Sequence, residues 1–260
     1  MNIEQAHVEV RQRSQLEVTD LSFRYVFALG GKLYAKLWLA YCPPLVLLLW
    51  AAQRWLGWSW VTIWVLAAIA GSGLQGLFTV AAGRLMFETK VSFGAVTRQY
   101  FSRMGAYLGA LIITRLMLIA SSFLLIPLPF VWVRVAHVHE AVLLEGASAG
   151  AAVKRAGRFT EHYAGATFSM LMLLCCITVG IMTSSQIVGD TLVTDVFQLG
   201  NIGGDIEDGG TFYLLVGYFL SILFCATMRF LAYIDARTRR DGWDVQVRFM
   251  ALRAQAEEAL

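Results

Sequence analysis

Charge is scarce in this chain. Asp, Glu, Lys and Arg together make up 15% of its 260 residues, against about 25% in soluble domains. That is too little polar surface to cover the core of a water-soluble fold of this length, and the 58% apolar content points to the bilayer as solvent. Cysteine is scarce too. Cys42, Cys175, Cys176 and Cys225 all lie in apolar stretches, with no CxxC pair and no Cys/His ligand spacing, and read as buried small apolar residues. No signal peptide is expected: residues 1–20 are polar and contain neither an apolar core nor a small-residue cleavage site. Targeting then rests on the first spanning helix. No P-loop, HExxH or G-x-S-x-G elbow occurs. Ser121-Ser122 and Ser184-Ser185 have no His or Lys at a distance that would make an intramembrane protease. No enzymatic activity, cofactor or metal site is expected.

Long apolar runs are what the chain does have. A helix needs about 20 apolar residues to cross a hydrocarbon core of about 30 Å, and six segments approach that length: about 33–52, 60–82, 105–126, 129–145, 163–188 and 211–234. Pro43 and Pro44 fall in the middle of the first and are expected to break it. The third and fourth are separated by Ile126-Pro127-Leu128-Pro129, which reads as a tight extracytoplasmic turn, because proline removes a donor and disfavours helix before it.

Basic residues place the loops. Arg84, Lys90, Arg98 and Arg103 precede the third run, and Lys154, Arg155 and Arg158 follow the fourth. By the positive-inside rule both flanks are cytoplasmic, so an even number of crossings lies between them. Both termini are basic-flanked and expected in the cytoplasm. The segment 189–210 has no Lys or Arg, only Asp190, Asp195, Asp205, Glu207 and Asp208. Trp50, Trp55, Trp58 and Trp60 cluster at the first outer turn, where indoles favour the interface. The expected fold is all-α: a polytopic transmembrane bundle of six spans in three hairpins, with interfacial cytoplasmic helices. A membrane domain over 21–234 lies between cytoplasmic tails, 1–20 and 235–260. The hairpins look like repeats. Leu21-Ser22-Phe23, Val91-Ser92-Phe93 and Ala147-Ser148-Ala149 each read as the start of a short, serine-capped basic helix before a hairpin.

Two motifs carry a family resemblance. Leu143-Leu144-Glu145-Gly146-Ala147-Ser148, followed by Ala152-Val153-Lys154-Arg155-Ala156, is one. Tyr233-Ile234-Asp235-Ala236-Arg237, followed by Arg239-Arg240-Asp241-Gly242-Trp243-Asp244, is the other. They resemble poorly characterised bacterial membrane families related to the membrane domain fused to some glycerophosphodiester phosphodiesterases. The resemblance implies a six-helix bundle in a bacterial inner membrane. It implies no reaction, because the membrane domain of those families offers no catalytic residues to carry over, and no phosphodiesterase domain is expected here.

Few residues suggest chemistry. Gly71-Ser72-Gly73-Leu74-Gln75-Gly76 spells G-x-G-x-x-G, but inside the second span rather than after a strand. Close helix packing explains it better, and Gly105, Gly109, Gly146 and Gly150 fit the same account. Arg115 lies near the middle of the third span, where a charge costs about 2.5–3.5 kcal/mol, so it needs a partner. Across the hairpin, Arg134, His137 and Glu140 share one helical face. The expected pair is Arg115–Glu140 with His137 beside it, either a structural clamp or part of a proton or anion pathway. His137 and His139 are two apart and point to different faces, which argues against a metal. Glu145 and Arg229, at the inner ends of the fourth and sixth spans, form a possible second pair, unless Arg229 snorkels to the interface. Basic clusters alternate with spans and face anionic lipid head groups rather than nucleic acid.

The tail beyond 235 is balanced in charge. Residues 251–258, past Gly242, have high helix propensity, as a segment docking on the bundle or on a partner would. Two functions follow. One is a non-enzymatic scaffold or accessory subunit of a larger inner-membrane complex, with membrane lipids, other subunits or a second copy of itself as partners. The alternative is a transporter or lipid-handling protein using Arg115, His137 and Glu140, since repeats and broken helices mark transporters.

Overall fold

The computed structural model describes residues 12–88, 90–161, 163–200 and 202–242, and no strand occurs among them. The helices are α1 (Gln15–Arg24), α2 (Gly31–Leu56), α3 (Trp60–Phe87), α4 (Phe93–Ser122), α5 (Leu128–Val135), α6 (Val138–Glu145), α7 (Ala149–Thr160), α8 (Ala164–Asp190) and α9 (Phe212–Asp241). A π-helical turn follows α1, and another extends α8. Side chains set several of the starts. Ser14 and Glu17 form a reciprocal capping box on α1. Ser59, Ser92 and Thr211 accept from the third backbone N–H of α3, α4 and α9, each satisfying a donor the helix cannot.

Five helices are long and apolar enough to cross a membrane: α2, α3, α4, α8 with its extension, and α9. They are not equivalent. The most apolar stretch of α9 is 67% buried, against 22% to 39% in the other four. α9 packs on α1, α2, α3, α7 and α8, so it is the axis round which the rest assemble. Close approach makes this possible. A Cβ on Gly217 would lie 2.7 Å from the Met182 Cα, bringing the α8 and α9 backbones together without a side chain between. Trp38 and Trp64 anchor the rim of the axis, donating to the Phe219 and Gly209 carbonyls at 3.2 and 2.9 Å.

Several expectations are corrected. The run 129–145 is not one helix but α5 and α6, eight residues each, broken at Ala136-His137. The prolines act one turn earlier than a simple hairpin needs: the chain turns over 123–127 and Pro129 sits in the first turn of α5, where its missing N–H costs nothing. Pro43 and Pro44 lie inside an unbroken α2, since a membrane helix can lose two internal bonds when neighbouring helices surround it. The interfacial helix expected before the third run is the first part of α4, which runs 30 residues from Phe93. Of the three serine caps expected before the hairpins, only the one at Ser92 forms. Ser22 is buried inside α1, and Ser148 makes no capping bond. Cys42 is buried, but Cys175 and Cys176 lie exposed on α8. The polar tail 1–20 already begins α1 at Gln15, and α9 continues the last span to Asp241, ending at Gly242 in the left-handed conformation. The expected helix over 251–258 lies outside the described residues.

Candidate functional site

The Gly-rich stretch of α3 is where polar side chains gather, and its glycines explain why. A Cβ on Gly76 would sit 2.7 Å from the Tyr107 ring, and one on Gly71 2.6 Å from the Tyr218 hydroxyl oxygen. Those missing side chains let aromatic rings press against the α3 backbone. Tyr107 donates to the Ser72 carbonyl at 2.6 Å and Tyr100 to the Gly73 carbonyl at 2.9 Å. The motif packs helices, as its position implied. Gly105 and Gly150 do not share this role, since nothing lies within 4 Å of a Cβ added to either. Gly146 has a different one. Its φ of +68° ends α6 in the left-handed conformation that glycine adopts freely.

Below this layer lies the charged centre of the bundle. Arg229 of α9 reaches α3, α6 and the break between α5 and α6 at once. Its Nη1 donates to the Gln75 side chain on α3 at 3.2 Å. Its Nη2 donates to the Ala136 carbonyl, and at 3.5 Å to Glu140 Oε2 on α6. Nε lies 3.3 Å from Glu140 Oε1, an electrostatic contact out of line for a hydrogen bond. The side chains are 12% and 1% exposed, so the pair is shielded from solvent and from lipid. The break between α5 and α6 serves this arrangement. In a continuous helix the Ala136 carbonyl would be committed to the residue four positions on. At the break it accepts from Arg229 instead.

The expected pairs are therefore re-sorted. Glu140 is held by Arg229, and not by Arg115. Arg115 is an exposed residue of α4 whose Nη2 donates to the Ser72 hydroxyl at 2.7 Å. His137 and His139 are both buried and face apart, His137 against the Tyr233 ring at 6.0 Å and His139 against Tyr107 at 5.4 Å. Among the described residues no group of three His, Cys, Asp or Glu could hold a metal ion.

Glu145 does not meet Arg229 either, since it lies over a turn further along α6 and takes a separate set of partners. It pairs with Arg155 of α7, with Arg237 of α9 at 3.2 Å, and accepts from the Tyr233 hydroxyl. Arg237 in turn lies over the Tyr233 ring at 6.0 Å. Glu-Gly of the first sequence motif thus meets Tyr and Arg of the second. Asp235, the acid of the second motif, accepts from the Arg13 backbone N–H at 2.8 Å and from Arg239 Nε at 2.7 Å, and Arg239 donates to the Arg13 carbonyl at 2.6 Å. Gln15 donates to the Ser169 hydroxyl at 2.7 Å. The start of α1 is stitched to α8 and α9.

Sequence reasoning found Glu140, Glu145 and Arg229 but matched them wrongly, and it missed Gln75 as a ligand of Arg229. A glutamine within an apolar span was the available signal. The cluster can fix helices relative to one another. Compared with protein-family models, curated proteins and solved structures, the chain matches none of them.

Proposed function

We propose that this is a non-enzymatic scaffold or accessory subunit of a larger assembly in a bacterial inner membrane. In this reading the chain crosses six times, with α5 and α6 together forming the fourth, broken crossing and both termini in the cytoplasm. One observation carries the proposal: the charge inside the bundle is spent on the bundle itself. Arg229 binds α3 and α6, while Glu145 binds α7 and α9. Groups paired in this way fix the helices they join, as a clamp does. The meeting of the two motifs at Glu145 also supports kinship with the membrane domain attached to some glycerophosphodiester phosphodiesterases. A transporter working through Arg115, His137 and Glu140 has less support, because those three side chains do not converge.

Native mass spectrometry after purification in mild detergent tests the function. A second polypeptide at fixed stoichiometry is the expected result. A lone species that moves a solute into proteoliposomes would overturn it. Topology is tested with single cysteines in a cysteine-free background. Positions in 123–127 and 197–200 should both react with an impermeant maleimide from outside. Reaction of the two segments from opposite sides would exclude six crossings.

A further inference from the structure

Two cavities lie apart from the charged clusters and share one side chain. The first, about 710 Å³, sits where the N-terminal ends of α2 and α4 meet the end of α3. Lys32, Lys36 and Lys90 line it, and all three are exposed. None of them makes an ion pair or side-chain hydrogen bond among the described residues. Among the described residues no acid lines the cavity. The nearest acid in sequence, Glu88, is engaged by Arg84 at 3.0 Å. Three cations around one hollow repel one another unless an anion enters. Gly30, at the start of α2, offers no side-chain cap, so the partial positive charge of that helix end adds to the field.

The second cavity, about 570 Å³, is a groove between α8 and α9 that continues to Phe23 and Phe27. Its walls are almost wholly apolar, including Ile181, Val216, Leu220 and Phe224. Phe27 lines both hollows and is 71% exposed, while its ring lies 5.5 Å from that of Phe224. A cationic pocket therefore opens beside an apolar groove, with one aromatic ring at their junction. A free anion would use only the first. An amphiphile with a negative head and a hydrocarbon chain uses both.

We infer that Lys32, Lys36 and Lys90 bind the phosphate head group of an anionic phospholipid whose acyl chain follows Phe27 into the α8–α9 groove. Basic pockets between membrane helices on the cytoplasmic side take such head groups. The site stands whether or not the chain has a protein partner.

The test presents the full chain, in mixed micelles, with equal phosphatidylglycerol and phosphatidylcholine, and reads retained lipid by native mass spectrometry. Phosphatidylglycerol is retained in preference. K32Q/K36Q/K90Q weakens that retention roughly a hundredfold, at about 1 kcal/mol for each lysine near an anionic head group. The charge-matched R98Q/K154Q/R158Q, which leaves the pocket intact, changes it little. Millimolar inorganic phosphate does not displace the lipid. Unfolding in phosphatidylcholine alone checks that the variants fold. If the triple variant does not, each single lysine variant carries the test with about a fivefold loss. Equal retention of the two lipids, an equal loss in the control variant, or displacement by inorganic phosphate would overturn the assignment.

Discussion

Replacing Glu140 with leucine removes the anion from the centre of the bundle and leaves the Arg229 guanidinium with only Gln75 and the Ala136 carbonyl. Coulomb's law at an effective dielectric of about 20 gives about 5 kcal/mol for unit charges at the observed 3.3 Å. That matches the cost of about 3–5 kcal/mol when one partner of a buried pair is deleted. Arg229→Met should cost at least as much, because it also orphans the Ala136 carbonyl, a further loss of about 1–3 kcal/mol. The double variant E140L/R229M should be far less destabilised than the sum of the two, since no uncompensated charge remains. Equilibrium unfolding in mixed micelles, followed by tryptophan fluorescence, measures all three. Arg115→Met serves as the internal control. It should cost about 1 kcal/mol, the worth of one hydrogen bond, and add to E140L without coupling. The clamp is refuted if E140L and R229M are additive within about 0.5 kcal/mol, or if E140L couples to R115M instead.

Three further outcomes are expected. Gly76→Leu should destabilise the bundle by about 1–3 kcal/mol by displacing Tyr107, whereas Gly105→Ala, with open space around it, should stabilise by up to about 1 kcal/mol; the same unfolding assay compares them, and equal effects would remove the packing account. Tyr233→Phe deletes the hydroxyl that reaches Glu145 and should cost about 1.5–3 kcal/mol, with faster tryptic cleavage at Arg237 and Arg239. Asp235→Ala releases both the Arg13 backbone and Arg239, so proteolysis ahead of α1 should accelerate while the rest of the chain stays protected.

Membrane helices were legible because they rest on run length, a property of neighbours in sequence. Five of the six expected runs are long helices with ends within a few residues of expectation, apart from the extension of α4 and the far end of α9. Run length failed at 129–145, where the outcome depends on Arg229, 93 residues away from Ala136. The same distance explains the misassigned pairs. Opposing Arg115 to Glu140 assumed that a hairpin neighbour is the partner, but α9 occupies the middle of the bundle and reaches Glu140 first. The cap expected at Ser22 fails for a local reason: Ser14 with Glu17 makes the better box for α1. The lysine pocket was not visible at all, because Lys90 joins Lys32 and Lys36 only when the starts of α2 and α4 lie side by side.

The central position of α9 bears on how the protein is made. Synthesis runs from N- to C-terminus, so α9 emerges after every other long helix of the bundle. Until it does, Glu140 has no guanidinium beside it and Glu145 lacks both Tyr233 and Arg237. An acid left in lipid costs several kcal/mol. The earlier helices are then a shell with a vacant axis. The axis is filled, and both acids meet their α9 partners, only once the last long helix is in place.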